Sequence, residues 1–206
     1  MKKIFLIFAL VIVTLVSAAQ TFKGGLMLGM STTQYDGDTY GGYHRIGLIA
    51  GGYVGRVISP KLSWQMEMKF FQKGSYQSTN IDAGIPYPYD LRLNYIEMPF
   101  LLKYTIKNKL SMDAGIGLGY LASHRENIND APSDPIGARP FNKYEISYQM
   151  GGNYQILPKL AFNIRYVYSI LPVRPHAGGG KHGLNWGEYN NVISFSIYYQ
   201  FKKADE

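Results

Sequence analysis

The sequence contains no cysteine among its 206 residues. Disulfide bonds are therefore excluded, and a lipid anchor attached through a cysteine is excluded as well. The lack of cysteine is compatible with an exported protein, provided that its stability comes from something other than disulfides. Charge is also sparse and evenly spread: the sequence has 21 Lys and Arg and 14 Asp and Glu, and none of them form long runs. This pattern is typical of a solvated surface, and we expect no nucleic-acid partner.

Long apolar runs are absent after residue 19, which argues against membrane-spanning helices in the rest of the chain. The one apolar stretch, from Ile4 to Val16, follows Lys2 and Lys3 and precedes small residues. An N-terminal membrane anchor is the alternative, but a spanning helix needs about 20 residues. The pattern predicts a cleaved signal peptide over residues 1–19 and one domain over residues 20–206.

One short motif occurs three times and divides the chain into repeating units. Lys-Leu pairs at Lys61, Lys109 and Lys159 lie 48 and 50 residues apart, and each begins a run of alternating apolar and polar residues. A repeat of this length fits a strand, a short turn, a second strand and a long loop. The short turns then all lie at one end of the molecule and the long loops at the other.

Alternation predicts eight strands in the mature chain, each with one apolar and one polar face. In the strand from Leu62 to Phe70, for example, Trp64 and Met66 share one face and Glu67 and Lys69 share the other. The glycine-rich second strand leaves its facing open. A soluble barrel or sandwich would bury the apolar face in a core, whereas a membrane barrel turns it toward lipid.

Aromatic residues and loop lengths favour the membrane barrel. Tyr144 and Tyr154 share an outward face ten residues apart, and a tilted strand of that length spans about 25 Å, the height of a bilayer core. The long loops, such as Gly74–Asp90 and His124–Asn142, lie at one end. We therefore predict an all-β fold, an eight-stranded antiparallel up-and-down transmembrane β-barrel in the outer membrane of a Gram-negative-type envelope.

The segment from Tyr95 to Tyr104, with Glu97 and Pro99 at its centre, resembles the PorT-like outer-membrane β-barrel family. The resemblance extends to the Phe71–Gly74 end of the preceding strand and to the hairpin layout. It implies an eight-stranded outer-membrane barrel, some of whose relatives are linked to protein secretion, and it defines no catalytic residue. Because proline lacks an N–H group, a bulge is expected at Pro99.

The inward faces carry four basic and four acidic residues, and an eight-stranded lumen is narrow enough for side chains to fill. We predict that these charges form an ion-pair network, with Glu67, Lys103 and Asp113 in one layer. The alternative is a charge-lined conducting pore. The eight predicted network residues are Lys23, Glu67, Lys69, Glu97, Lys103, Asp113, Glu145 and Arg165.

Several motifs that could carry chemistry are better explained as loop or turn residues. Ser123 and His124 are adjacent on a strand and point to opposite faces, which keeps a Ser–His pair from forming without a bend. Asp36-Gly37-Asp38 lacks the remaining ligands of a calcium loop. Gly178–Lys181 lacks the Ser or Thr of a phosphate-binding loop, and His176 and His182 lack a third metal ligand. We expect no catalytic residue, cofactor or metal.

Specificity is expected in the long loops, where Tyr87 and Tyr89 are candidates for recognition because stiff aromatic loops lose little entropy on binding. The sequence predicts a non-enzymatic structural or interaction protein, in contact with outer-membrane lipid and with envelope or secretion-system proteins as possible partners. A lipid-modifying barrel enzyme and a narrow small-solute channel are the alternatives.

Overall fold

The fold is described from a computed structural model, and the predicted signal peptide lies outside the described residues. The structure describes residues 22–37, 41–82, 84–129, 131–132, 139–176 and 187–201. Within these ranges no helix is long and apolar enough to cross a membrane.

Strands make up most of the described chain, and all of their pairings are antiparallel. In chain order they are β1 (Lys23–Asp36), β2 (Arg45–Ser59), β3 (Leu62–Gln77), β4 (Tyr89–Lys107), β5 (Leu110–Ile128), β6 (Ala131–Pro132), β7 (Tyr144–Leu157), β8 (Leu160–Ser169) and β9 (Tyr189–Gln200).

Eight of these strands form a closed barrel. Each pairs with the next along the chain, and β9 returns to pair with β1, from Gly25 opposite Gln200 to Asp36 opposite Tyr189. The two-residue β6 adds only to the end of β5. Closure leaves no strand edge exposed, so every backbone group within the bilayer can bond to a neighbouring strand. The predicted eight-stranded antiparallel barrel is confirmed.

The repeated Lys-Leu motif lies at the two-residue turns of three hairpins. Pro60-Lys61 joins β2 to β3, Asn108-Lys109 joins β4 to β5, and Pro158-Lys159 joins β7 to β8. We call this end of the barrel the turn end and the opposite one the loop end. In outer-membrane barrels the short turns face the periplasm and the long loops face outward.

Side-chain facing follows the predicted alternation. On β3, Met66 and Met68 are exposed while Glu67 and Lys69 are buried in the lumen. The structure also settles β2, where Ile46 and Leu48 face outward and Ile49 faces inward. Glycines had hidden that pattern in the sequence because they carry no side chain to mark a face.

Along β4 and β5 the outward-facing residues change from apolar to polar toward the loop end. We call the apolar outer zone the membrane band, and this change marks its limit on the loop-end side. Ile96 on β4 and Tyr120 on β5 are the last large apolar groups facing outward, and Arg92 and Ser123 follow toward the loop end. Tyr120 packs against Tyr144 with ring centroids 5.7 Å apart, as expected for an aromatic belt at a lipid interface. The loop ends of β4 and β5 therefore project beyond the lipid.

The bulge expected at Pro99 is not there. Pro99 pairs with Gly117 on one side in unbroken register, and the ladder to β3 keeps the same register between Phe100 and Glu97. Only two pairs of that ladder are missing, because proline has no N–H group to donate. The two register shifts of the β4–β5 ladder lie elsewhere, between Asn94 and Tyr95 at the edge of the membrane band and between Thr105 and Lys107 beside the turn.

Candidate functional site

The middle of the lumen is crossed by a network of buried charges. We call it the luminal ion network, and its members extend from β3, β4, β5, β7 and β8 toward the barrel axis. They are Glu67, Lys69, Lys73, Glu97, Asp113, Glu145 and Arg165. Each is at most 3 % exposed, so solvent does not reach them.

Arg165 on β8 joins Glu67 on β3 to Asp113 on β5, in the part of the luminal ion network nearest the turn end. Its Nη1 and Nη2 atoms donate to the two carboxylate oxygens of Glu67 at 2.9 and 3.1 Å, and its Nε donates to Asp113 Oδ1 at 3.0 Å. Tyr198 also donates its hydroxyl to Glu67 Oε1 at 2.8 Å. A planar guanidinium can hold two carboxylates in this way, which fixes the position of three strands relative to one another.

Two lysines of β3 continue the network toward the loop end. Lys69 Nζ lies 3.4 Å from Glu67 and 3.2 Å from Glu97. Lys73 Nζ donates to Glu97 Oε2 at 2.7 Å and to both oxygens of Glu145 at 3.0 Å. Since every carboxylate touches a cation or an amide, the cost of burying the charges is offset by their pairing.

Apolar side chains fill the space around the charges. Phe71 lies between the two lysines of β3, with the ammonium groups of Lys69 and Lys73 each 4.8 Å from its ring centroid. Met27, Ile49, Val167 and Val192 pack in the same cluster at no more than 4 % exposure. The middle lumen is therefore filled by packed side chains.

Small residues on β5 make room for this packing. A Cβ atom on Gly117 would lie 2.3 Å from Gln149 Nε2, which donates to Glu97 Oε1 at 2.8 Å. Glycine at this inward position therefore lets the amide of β7 reach the carboxylate of β4 across the face of β5.

A second group of side chains closes the lumen on the loop-end side of the membrane band. We call it the upper plug, and its buried apolar members are Tyr35, Tyr89, Leu91, Leu93, Tyr95, Leu121 and Val173. Val173 belongs to the chain that follows β8, so the base of a long loop folds back into the barrel mouth. Its backbone is anchored there by a bridge between Arg174 and Glu188.

Arg174 supplies the charge of the upper plug. Its Nε donates to Glu188 Oε2 at 2.6 Å, its Nη1 donates to Glu126 Oε2 at 2.8 Å, and its guanidinium lies 4.4 Å from the ring centroid of Phe141. Burial would lower the pKa of this guanidinium, but the bonds to Glu126 and Glu188 raise the pKa above its usual value. The group remains charged and holds the loop base to β5.

The turn end, in contrast, is open. A cavity of about 340 Å³ lies inside the barrel below Gln65 and Tyr198, and we call it the turn-end vestibule. Of the described residues that line it, none is Asp or Glu, whereas seven are cationic: Lys23, Arg56, Lys61, Lys103, Lys107, Lys109 and Lys159.

The eight residues predicted to form an ion-pair network are divided between these two regions. Glu67, Lys69, Glu97, Asp113, Glu145 and Arg165 lie in the luminal ion network, whereas Lys23 and Lys103 line the vestibule.

The predicted layer of Glu67, Lys103 and Asp113 needs correction. Arg165 is the cation that joins the two carboxylates, and Lys103 Nζ instead donates to Gln65 Oε1 at 3.1 Å. Comparing heights on neighbouring strands missed this contact because Arg165 reaches across the lumen from the opposite wall.

The two tyrosines predicted for recognition lie in different environments. Tyr87 is 55 % exposed on its loop. Tyr89 is 2 % exposed, belongs to the upper plug and donates its hydroxyl to Glu126 Oε1 at 2.5 Å. The prediction is corrected for Tyr89, whose side chain starts β4 on the inward face and is out of reach of an external partner.

The residues considered for other chemistry have other contacts. Ser123 Oγ accepts a hydrogen bond from Asn94 at 3.0 Å, while the ring of His124 lies 5.0 Å from that of Phe141. Asp36 accepts bonds from Gln34 at 2.6 Å and Asn191 at 2.9 Å. Asp38, Gly178–Lys181 and His182 lie outside the described residues.

Two important cations were missed by sequence reasoning. Lys73 follows the inward parity of Glu67 and Lys69, so the alternation of β3 could have identified it. Arg174 could not have been found in this way, because it follows the end of β8 and no strand periodicity applies to it.

Comparisons with known proteins agree with this architecture. A family model described as outer membrane protein beta-barrel domain matches residues 17–173. No curated protein sequence matches the chain.

Two solved structures illustrate the similarity. The attachment invasion locus protein Ail of Yersinia pestis is 11 % identical, with a TM-score of 0.50 over 87 % of this chain and 98 % of Ail. Neisserial surface protein A is 13 % identical, with a TM-score of 0.51 over 87 % of this chain and 97 % of that one. At such identities the similarity concerns the fold alone. Together with the family match over most of its length, the closed eight-stranded barrel identifies this chain as a member of the outer membrane protein beta-barrel domain family.

Proposed function

We propose that this chain is a non-enzymatic structural or interaction protein of the outer membrane, whose sealed barrel holds long loops at the outer surface. The observation that carries the proposal is the packed lumen. The charges of the luminal ion network are paired with one another and fully buried, and the upper plug closes the loop end. A solute path would require breaking these contacts.

Conductance through a planar lipid bilayer tests the sealed lumen. Purified protein reconstituted at high salt is expected to give no discrete current steps above the background of protein-free membranes. A known small porin reconstituted in the same lipid serves as the positive control. Reproducible unitary steps from the unmodified protein would contradict the proposal and favour the small-solute channel.

The exposed loop is the proposed point of contact with other envelope proteins. The loop between β3 and β4 presents Tyr87 to solvent, while Tyr89 two residues later is anchored in the upper plug. Such a loop is fixed at its base and open at its tip, an arrangement suited to recognition because little order is lost on binding. The resemblance of residues Tyr95–Tyr104 to PorT-like barrels supports an accessory role in protein secretion as the more specific form of the proposal.

Photocrosslinking in intact cells tests the contact. A benzoyl-phenylalanine at position 87 is expected to capture a discrete envelope protein, whereas the same group at position 89 captures none because that position faces the lumen. A secretion component among the products would support the accessory role. Recovery of bulk lipid alone from position 87 would contradict the interaction proposal.

A further inference from the structure

The turn-end vestibule differs from the rest of the barrel interior in its charge. Seven cationic residues are among those that line it, and no Asp or Glu is among its described lining residues. The cations of the luminal ion network and of the upper plug all have carboxylate partners between 2.6 and 3.4 Å away. The excess of positive charge is therefore confined to the open end, where low-dielectric walls focus its potential.

Lys103 lines the vestibule from β4, and its ammonium group has few partners. Its ammonium group can donate three hydrogen bonds, yet the structure gives it one, to Gln65 Oε1 at 3.1 Å. No described carboxylate lies within salt-bridge distance of its Nζ. Lys23 lines the same cavity from β1. Both lysines extend from strands rather than from turns, which distinguishes them from ordinary solvated turn residues.

We propose that the turn-end vestibule is a binding site for a multivalent, phosphate-bearing anion. Six of the seven cations are lysines, which bind phosphate as compact point charges and without the fixed two-pronged geometry of arginine. Affinity should therefore depend on the charge of the ligand more than on its shape. The cavity of about 340 Å³ is at the small end of ligand sites and has room for a few phosphate groups.

The location allows two sources for such an anion. The turn end lies at the periplasmic headgroup level of the bilayer, so a lipid phosphate could enter from the side, and a soluble phosphate ester could enter from the periplasm. The same lysines would hold either. This inference goes beyond the proposed function and does not depend on it, because the vestibule and the loops lie at opposite ends of the barrel.

Calorimetric titration tests the site directly. The full-length mature chain, folded in the non-ionic detergent dodecyl maltoside at low salt, is titrated with inorganic tripolyphosphate and with orthophosphate. We expect one saturable site that binds tripolyphosphate more tightly than orthophosphate and that weakens as salt is added, because the attraction is electrostatic and screened. The double variant Lys23→Gln, Lys103→Gln is expected to bind at least about tenfold more weakly.

A control lysine at the loop end separates a site from general basicity. Lys143→Gln removes one positive charge from an exposed position just before β7 and is expected to leave the affinity within about twofold. Lys103→Arg keeps the charge and is expected to retain most of the binding, while circular dichroism checks that each variant is folded. Unsaturable binding, or equal losses in the Lys143→Gln and double variants, would overturn the proposal.

Nanodiscs distinguish the two sources. The tripolyphosphate titration is repeated in discs of phosphatidylcholine alone and in discs containing phosphatidylglycerol, at matched salt. Weaker tripolyphosphate binding in the anionic discs, seen with the wild type, would support a lipid phosphate as the occupant. Equal binding in both discs would support a soluble phosphate ester. Absence of binding in both would overturn the site.

Discussion

The two regions of the barrel interior differ in whether their charged side chains are paired with opposite charges. In the middle and at the loop end, Arg165 and Arg174 are each held between two carboxylates, and solvent is excluded by Phe71 and the upper plug. At the turn end, lysines surround an open cavity without a carboxylate among the described lining residues. The same barrel therefore contains a dry core of paired charges and an open vestibule lined by an excess of cationic residues.

The difference shows that access to water determines whether a charged side chain requires a partner in the protein. A buried charge loses its hydration and is tolerated only if other groups replace that water, so the core contains paired charges. A charge in contact with water keeps its hydration and can remain unpaired at little cost. Lysines at the turn end that have no carboxylate at salt-bridge distance are therefore compatible with stability, whereas the same residues placed near Glu97 would need partners.

The largest effect on stability is expected from a substitution that breaks ion pairs of the luminal ion network. Arg165→Met removes the guanidinium shared by Glu67 and Asp113 and leaves both carboxylates without that partner in a dry site. We expect a loss of about 3–5 kcal/mol in the free energy of unfolding. Thermal and urea unfolding in detergent, followed by circular dichroism, measures the change.

Arg92→Met is the matched control. Arg92 also forms an ion pair, with Asp90, but its side chain is half exposed, and its loss should change stability by roughly 0–1 kcal/mol. If both variants lost the same stability, the contrast between buried and exposed pairs in this barrel would be wrong.

A smaller effect is expected at the upper plug. Tyr89→Phe removes one hydroxyl, which donates to Glu126, and leaves the ring in place. Since the acceptor is charged and buried, we expect a loss of about 1.5–3 kcal/mol. Tyr87→Phe, two residues earlier on an exposed position, should leave the unfolding curve unchanged. An unaltered curve for Tyr89→Phe would mean that the hydroxyl does not stabilise the plug.

The smallest change is expected at the boundary between the two regions. Lys103→Met removes an ammonium group that has one hydrogen bond, to a neutral amide, and no carboxylate at salt-bridge distance. We expect a loss of about 1 kcal/mol or less, well below that of Arg165→Met, in the same unfolding assay. A loss as large as that of Arg165→Met would show that Lys103 belongs energetically to the luminal ion network and would remove the contrast between the two regions.

Particular residues show which features of the structure could be predicted from the sequence. Alternation correctly placed Glu67 and Lys69 inward and Met66 outward, because a strand exposes successive residues to opposite faces. The same rule could have added Lys73. It could not place Tyr89, since the point at which β4 leaves the membrane band is set by neighbouring strands. Nor could it locate the register shift beside Tyr95, which results from a mismatch with β5.

The sequence by itself determined the barrel, the number of its strands, the ends occupied by turns and loops, and the face of most side chains. These properties follow from local periodicity and turn chemistry, which each segment carries independently of the rest. Only the tertiary structure decided which charges meet and which end of the lumen stays open. Closure brings β8 opposite β3, so Arg165 reaches Glu67 at 98 residues' separation while Lys103 does not reach a carboxylate. Distances across a lumen depend on all eight strands at once, and no single segment encodes them.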